Sequence, residues 1–388
     1  MSKNYDYIFA GSGLAGLSLL YRLLTEEEFC KKRVLVIDQS QKNQNDRTWC
    51  FWERDNGPFE QLISKQWSSL RFFSPSVTRE FALREYRYKM IQSGDFYRHV
   101  LDFVAGFPNV EFLKEKIEEI GDSENGAFVK TENNTYTADF VFNSTSLFYP
   151  IMGEENTLLQ HFMGWFIQCE QPVFDAEVGT LMDFTVSQFH GTTFMYMLPI
   201  TENEALVEYT LFSRNVLGKS SYEIALREYI KNNLQLDDYK ILHREFGVIP
   251  MSKAKFPRYV GEKKRIINIG TAGGHTKASS GYTFQFVQDQ VSRIVGALKK
   301  GESPLVTLSW RDKMFQWYDM TLLDVLLDKK IEGEELFSLL FKGNDPERIL
   351  AFLANESGFW EEFKIRNSVP FWPFFTSGMK ELYRGIRL

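Results

Sequence analysis

The segment Gly11-Ser12-Gly13-Leu14-Ala15-Gly16 stands after a buried apolar run at 5–10 and opens a helix-like stretch at 14–24, and this placement constrains the fold more than any other feature. The stretch carries apolar residues at Leu17, Leu20, Leu23 and Leu24, and a second buried strand follows at 34–37, so the three pieces form one βαβ crossover. In such a unit Gly11 permits the tight turn, Gly13 lets the backbone approach a pyrophosphate, and Gly16 allows close packing of helix on strand. The first helical residues, Leu14 and Ala15, present amide donors and the positive end of the helix to the anion. Asp38 ends the second strand, 22 residues beyond Gly16, where a carboxylate accepts from ribose hydroxyls and repels a 2′-phosphate. FAD or NAD is therefore expected ahead of NADP.

A second element favours FAD. Residues 265–269 read as a strand entering another glycine-rich turn, Gly270-Thr271-Ala272-Gly273-Gly274, with Ser279-Ser280-Gly281-Tyr282 placed to open a helix. An extended dinucleotide uses a late helix N-terminus of this kind for its flavin half. The alternative is an ordinary αβ connection.

Composition excludes several other classes. The chain has 388 residues, 44% of them hydrophobic, enough for two domains with substantial cores. A net charge of −6 argues against a nucleic-acid surface. Five scattered histidines, His99, His161, His190, His243 and His275, lack ligand spacing, so no metal site is expected. Three cysteines without a CxxC pair, and no basic-plus-apolar export segment before the first strand, predict a reducing, cytoplasmic setting. No uncharged apolar run reaches spanning length. The aromatic content is 15%, with 35 phenylalanines and eight tryptophans, which suits either a dense core or a long apolar tunnel.

Along the chain, alternating residues at 71–90 suggest strands and 94–103 a helix; three strand-like runs from 180 to 212 read as an antiparallel meander. A helix is expected at 221–232, and the pattern from about 285 is largely helical. The expected division is a discontinuous dinucleotide domain (1–70, 91–150 and 251–300), a sheet domain (71–90 and 151–250) and a helical region (301–388). Within the meander, Glu208 shares a face with Leu206, Thr210 and Phe212, whereas Val207, Tyr209 and Leu211 point the other way. A carboxyl among apolar neighbours has a raised pKa and suits a general acid. Asp183 is expected to sit similarly on a neighbouring strand and to share the site. The alternative places both acids on the solvent face of a half-buried sheet. Trp49 and Trp52 are equally compatible with core packing and with a substrate platform.

These residues resemble the carotenoid lycopene cyclases, specifically the bacterial β-cyclase type. The resemblance rests on Asp6–Ser18, on Asn45-Asp46-Arg47-Thr48-Trp49-Cys50-Phe51-Trp52, on Leu181-Met182-Asp183-Phe184, on Leu206-Val207-Glu208-Tyr209-Thr210, and on Gly274–Tyr282. It implies an α/β fold of the glutathione reductase or hydroxybenzoate hydroxylase type: a doubly wound FAD/NAD(P)-binding domain, an inserted antiparallel β-sheet substrate domain and a helical C-terminal region. It implies cyclisation of lycopene ends to β-ionone rings without net redox change, requiring reduced FAD, with NADPH or NADH as reductant. The family's strand acid maps onto Glu208, with Asp183 as a supporting or proton-accepting carboxylate. The cofactor residues are then Gly11, Gly13, Leu14, Ala15, Gly16, Asp38, Arg47, Gly270, Gly273, Gly281 and Tyr282. Tyr209 stands where many members carry a second acid. The late turn lacks the Gly-Asp pair usual in flavin hydroxylases, which argues against a monooxygenase. The rivals are a flavin monooxygenase or polyprenyl reductase on the same fold, or a non-enzymatic flavin-bound, membrane-associated protein.

Lycopene resides in membranes, so peripheral contact at the inner face of the cell membrane is expected. Phe371-Trp372-Pro373-Phe374-Phe375 and the basic tail with Lys380, Arg384 and Arg387 offer a monotopic surface. The alternative is that these aromatics cap the core.

Overall fold

The computed structural model describes residues 4–124 and 126–387; the side chains of Ile386 and Arg387 and the whole of Leu388 lie outside the described residues. Strand Asn4–Ala10, helix Leu14–Leu24 and strand Val34–Ile37 form the expected crossover. Parallel pairing extends the sheet in the order Val110–Leu113, Val34–Ile37, Asn4–Ala10, Thr135–Asn143 and Ile266–Asn268, with Tyr259–Val260 antiparallel at the edge. All four residues of Val34–Ile37 are buried because both sheet faces are covered. Helices Leu14–Leu24, Ser93–Val104 and Phe284–Lys299 pack on one face through Leu17, Leu20, Val100, Val287 and Val291. The other face carries an antiparallel meander, Ile117–Ser123 and Gly126–Thr131 leading into Thr135–Asn143, which buries Ile120, Ala127 and Val129 against Ile8 and Leu35.

The second sheet has seven strands in the order Lys240–Ser252, Thr157–Gln168, Glu204–Ser213, Thr192–Pro199, Val178–Asp183, Ser69–Phe73 and Thr78–Ala82. Three adjacent antiparallel strands form the expected meander. Val178–Asp183 pairs in parallel with Ser69–Phe73. Helix Lys219–Asn232 covers one face with Tyr222, Leu226 and Ile230 on Trp165, Val207 and Leu211. The helical region covers the other, with Leu326, Phe337 and Phe341 against Leu206, Phe194 and Phe212.

The segment expected as sheet at 71–90 divides. Ser69–Phe73 and Thr78–Ala82 join the seven-stranded sheet, whereas Arg87–Gln92 pairs with Thr48–Glu53 and Lys65–Trp67 in a three-stranded sheet of its own. Helices Trp310–Leu327, Gly333–Gly343, Pro346–Leu353, Phe359–Asn367 and Phe371–Arg387 complete the chain.

Candidate active site

The two glycine turns meet. Gly11 adopts a φ of 100°, and a Cβ on Gly16 would collide with the Gly11 carbonyl oxygen, so only glycine lets the helix start this close to the strand. A Cβ on Gly270 would lie 2.7 Å from the Ala15 Cβ, which brings the late turn against the start of the first helix, with Leu14 and Ala15 buried beneath. Gly273 packs its Cα on the Asn268 carbonyl. By contrast, no atom lies within 4 Å of a Cβ built on Gly13. Neither Gly13 nor Thr283, the residues that begin helices Leu14–Leu24 and Phe284–Lys299, makes a side-chain cap. The late helix thus starts just beyond the expected Gly281–Tyr282, and buried Gln285 Oε1 and Gln288 Oε1 in its first turns have no hydrogen-bond partner. Uncapped starts on two helices that run side by side, joined by Gln288 on Ser18 and Lys299 on Glu26, with open space at Gly13 and unpartnered polar atoms nearby, fit an extended dinucleotide.

Asp38 closes this cradle. Its carboxylate accepts the Ser12 amide at 2.7 Å, the Ser12 hydroxyl at 2.9 Å and the Ser40 amide at 2.8 Å. Burial favours its neutral form, but these amides and Lys42 outweigh it and hold the group below the ordinary aspartate range, ionised and ready to accept from hydroxyls.

A pair of carboxyls lies across the strands from one glycine. Glu208 stands opposite Gly164, and Glu245, on the outer strand Lys240–Ser252, stands opposite the same Gly164 from the far side. Directly opposed residues share a face, so both acids point the same way. They are 9% and 7% exposed. The Thr210 hydroxyl donates to Glu208 Oε1 and the Thr48 hydroxyl to Glu245 Oε2, each at 2.8 Å. Burial pushes both carboxyls far above the usual glutamate range; the Glu245 charge lifts Glu208 further, whereas the Thr48 hydroxyl and the Arg47 guanidinium draw Glu245 back. Arg47 itself is exposed, with its amide on Ser93 Oγ and its guanidinium on the Asp46 carbonyl.

Asp183 is a correction. Its carboxylate accepts from the Tyr229 hydroxyl at 2.7 Å and from the Thr185 amide and hydroxyl, on the sheet face covered by helix Lys219–Asn232. A bulge between Thr180 and Asp183 adds one residue to that strand and reverses the alternation that would have placed Asp183 beside Leu181. The solvent-face alternative fails for both acids, because Asp183 is 5% exposed. The carboxyl beside Glu208 is Glu245, in a stretch His243-Arg244-Glu245 whose polarity hides a strand; Gly164 within the run Phe162-Met163-Gly164-Trp165-Phe166 is the signal that would have marked the space.

Next to this pair is a cavity of about 360 Å³ lined by Trp52, Leu181, Tyr196, Tyr282, Phe337 and Phe374, among others. The glutamates are not on its wall. Tyr196, opposite Glu208 in the strand pairing, and Tyr282 are. The Tyr282 hydroxyl lies 3.3 Å from that of Tyr88 and 3.4 Å from that of Tyr196, with its ring edge-on to Trp52. Its side chain therefore turns to the cavity, while Gly281 sits against buried Gln160, whose Oε1 has no partner. The two tryptophans separate: Trp52 lines the cavity, and Trp49 packs on Phe96, Tyr97 and Phe284.

The cavity opens among helices whose polarity is inverted. In Phe371–Arg387 the side facing the protein carries Ser377, Gly378 and Glu381, whereas Phe371, Trp372, Phe375, Met379, Leu382 and Tyr383 are exposed. In Phe359–Asn367, Glu362 is buried and Phe359, Trp360 and Phe363 are exposed. Most of these aromatics do not cap the core. Lys380, expected to face headgroups, is instead paired with Asp324 and Asp328. Among the described residues no helix is long and apolar enough to cross a membrane, and no cluster of three His, Cys, Asp or Glu side chains could hold a metal ion.

A profile of the family described as "Lycopene cyclase protein" matches residues 6–379. The chain is 23% identical over 310 residues to a lycopene beta-cyclase from Pantoea ananas, a match covering 76% of this chain and 75% of that one. Among solved structures it is similar to a geranylgeranyl bacteriochlorophyll reductase-like protein from Thermoplasma acidophilum, with a TM-score of 0.63, 14% identity, and coverage of 99% of this chain and 100% of that one. It is likewise similar to a flavoprotein/dehydrogenase from Cytophaga hutchinsonii, with a TM-score of 0.65, 14% identity, and coverage of 98% and 100%. At such identities the structural likenesses establish the fold and leave the chemistry to the site.

Proposed function

The chain belongs to the lycopene cyclase family, and on that premise we propose that it closes the acyclic ends of lycopene into β-ionone rings, giving β-carotene via γ-carotene, by proton-initiated isomerisation with reduced FAD bound. The observation that carries this reading is Glu208: a buried carboxyl held in its proton-bearing range next to an aromatic cavity.

In this reading Gly13 and the first helix take the pyrophosphate, Asp38 takes the ribose hydroxyls, and the turn at Gly270–Gly273 with the start of Phe284–Lys299 receives the flavin half. When bound in its reduced, anionic form FAD supplies negative charge that stabilises a nearby cation in a water-poor site; NADPH or NADH is the proposed source of the electrons that keep it reduced. The protein's own residues do the rest. The cavity accepts one end of the polyene, and rotation of the Tyr196 and Tyr282 rings admits that end to Glu208. Glu208 donates a proton to the terminal double bond, the neighbouring double bond closes on the resulting cation, and loss of a ring proton completes the isomer. Aromatic faces of Trp52, Tyr196 and Tyr282 tolerate the cation, and the dry wall keeps water from trapping it.

Of the exposed aromatics on the last two helices, Phe363, Phe371 and Phe375 line the cavity, and Trp360 and Trp372 pack against Phe363 and Phe371. We place this face in the inner leaflet of the cell membrane, where lycopene can pass from lipid into the cavity. An anaerobic assay with lycopene, FAD and reductant in deuterated water tests the reaction. The expected product is isobaric apart from solvent deuterium at the protonated carbon, and Glu208→Gln, still binding flavin, forms none. Dependence on oxygen, or a gain of two hydrogens as a polyprenyl reductase would give, rejects it.

A further inference from the structure

Glu208, Gly164 and Glu245 form one row across three strands. A glycine at the centre of a buried sheet loses packing and strand propensity, yet here its missing side chain is what lets the acids meet: a Cβ at Gly164 would lie 3.1 Å from Glu245 Cγ and 3.2 Å from its Oε1. Each acid is also steadied from outside the row by a threonine hydroxyl, Thr210 on one and Thr48 on the other. Two acids brought into contact in an apolar sheet cannot both ionise.

We propose that Glu245 is the proton-sharing partner of Glu208: the two carboxyls hold one proton between them across Gly164, and the charge on Glu245 fixes that proton on Glu208 for delivery to the substrate. The proposal rests on the cyclase reading and deepens it. The groups that face the pair are Arg47 and Cys50 from the segment around Thr48–Glu53, Tyr88 from Arg87–Gln92 and Tyr196 from Thr192–Pro199, with Tyr282 of the late turn behind the last two. Arg47 is the cation among them, and it acts on Glu245, so the negative charge settles there and the proton on Glu208.

The cycle then balances. The Glu208 O–H bond breaks and a C–H bond forms from the terminal π pair. The neighbouring π pair makes the ring C–C bond. A ring C–H bond breaks, its electron pair becomes the ring double bond, and the proton returns to the pair, which after donation is two adjacent buried carboxylates and so a strong base. The one-proton state is restored with nothing oxidised or reduced.

The test is the pH profile of lycopene cyclisation by the full-length, flavin-loaded protein and its Glu208→Gln, Glu245→Gln and Glu245→Asp variants, with the protonated-carboxyl infrared band titrated alongside. An acid that must carry its proton loses activity as pH rises through its pKa. Removing the Glu245 charge lowers that pKa, so the alkaline limb and the infrared titration of Glu245→Gln shift down by about one pH unit or more, and Glu245→Asp restores most of the shift. Should Glu245→Gln not fold, Gly164→Ala, which crowds Glu245 away from Glu208, gives the same downward shift. A limb that superimposes on the unmodified protein's in the folded variant, even at a uniformly lower rate, overturns the proposal. Full activity of Glu208→Gln would overturn Glu208 as the acid and the proposal with it, whereas no cyclisation by the unmodified protein would overturn the cyclase reading, so the failures are distinct.

Discussion

Gly16 is pressed so closely on Gly11 that any side chain must displace the strand end. Gly16→Val is therefore expected to cost about 1–3 kcal/mol of stability and to release flavin; the check is the flavin absorbance retained after gel filtration together with the melting temperature. A variant that kept both would refute the cradle. At this scale the sequence was informative where periodicity was unbroken. The face of Glu208 follows from simple alternation with Leu206, Thr210 and Phe212, and the structure agrees. Asp183 was misread because a single extra residue in its strand reverses the faces, and a bulge has no signature in so short an apolar run. Glu245 was missed because its edge strand exposes Leu242, Arg244 and Val248, so the pattern there is mixed rather than alternating.

Two C-terminal helices expose aromatics and bury acids, and a buried ion cluster is what holds one of them in place. Asp324, fully buried on helix Trp310–Leu327, binds Lys253 at 2.6 Å, Lys330 at 3.0 Å and Lys380 at 2.8 Å, while Lys253 also reaches Glu381 at 2.9 Å on the last helix. Burial opposes ionisation of Asp324, but the lysines outweigh it and hold its carboxyl far below the ordinary range. A depressed carboxylate contributes stability that is present above its unfolded pKa and lost as pH falls through the folded one. Asp324→Ala is expected to destabilise by about 3–5 kcal/mol at neutral pH, and the difference from the unmodified protein should shrink in acid below the ordinary aspartate range. Urea unfolding at neutral and acidic pH measures both; an equal deficit at each pH would contradict the ionic account. Helix Phe359–Asn367 is held in the same manner by Glu362, which accepts from Arg311 at 2.7 Å and Tyr318 at 3.0 Å. The late turn is also bolted to this region, through Lys277 and Ser279 on Asp319.

For the whole molecule, the inverted helices leave an aromatic surface that reaches the cavity wall. Deleting the last helix would remove Glu381 from the buried cluster and the seat of Trp317 on the Gly378 carbonyl, so surface substitution is the cleaner experiment. The paired change Trp360→Ser and Trp372→Ser is expected to lower cosedimentation with anionic liposomes several-fold and to leave cyclisation of detergent-dispersed lycopene intact; unchanged sedimentation of the folded protein would remove the membrane assignment. The sequence by itself determined the dinucleotide unit, the adjacent meander and the face of Glu208, because each follows from contacts between near neighbours in the chain and from the fixed periods of strand and helix. Only the tertiary structure decided which acid meets Glu208, that Asp183 turns away, and that the aromatic stripe faces outward. Those outcomes depend on strand order, a bulge and ion pairs between residues far apart in the chain, such as Lys253 with Asp324 and Glu381, and local periodicity carries no record of them.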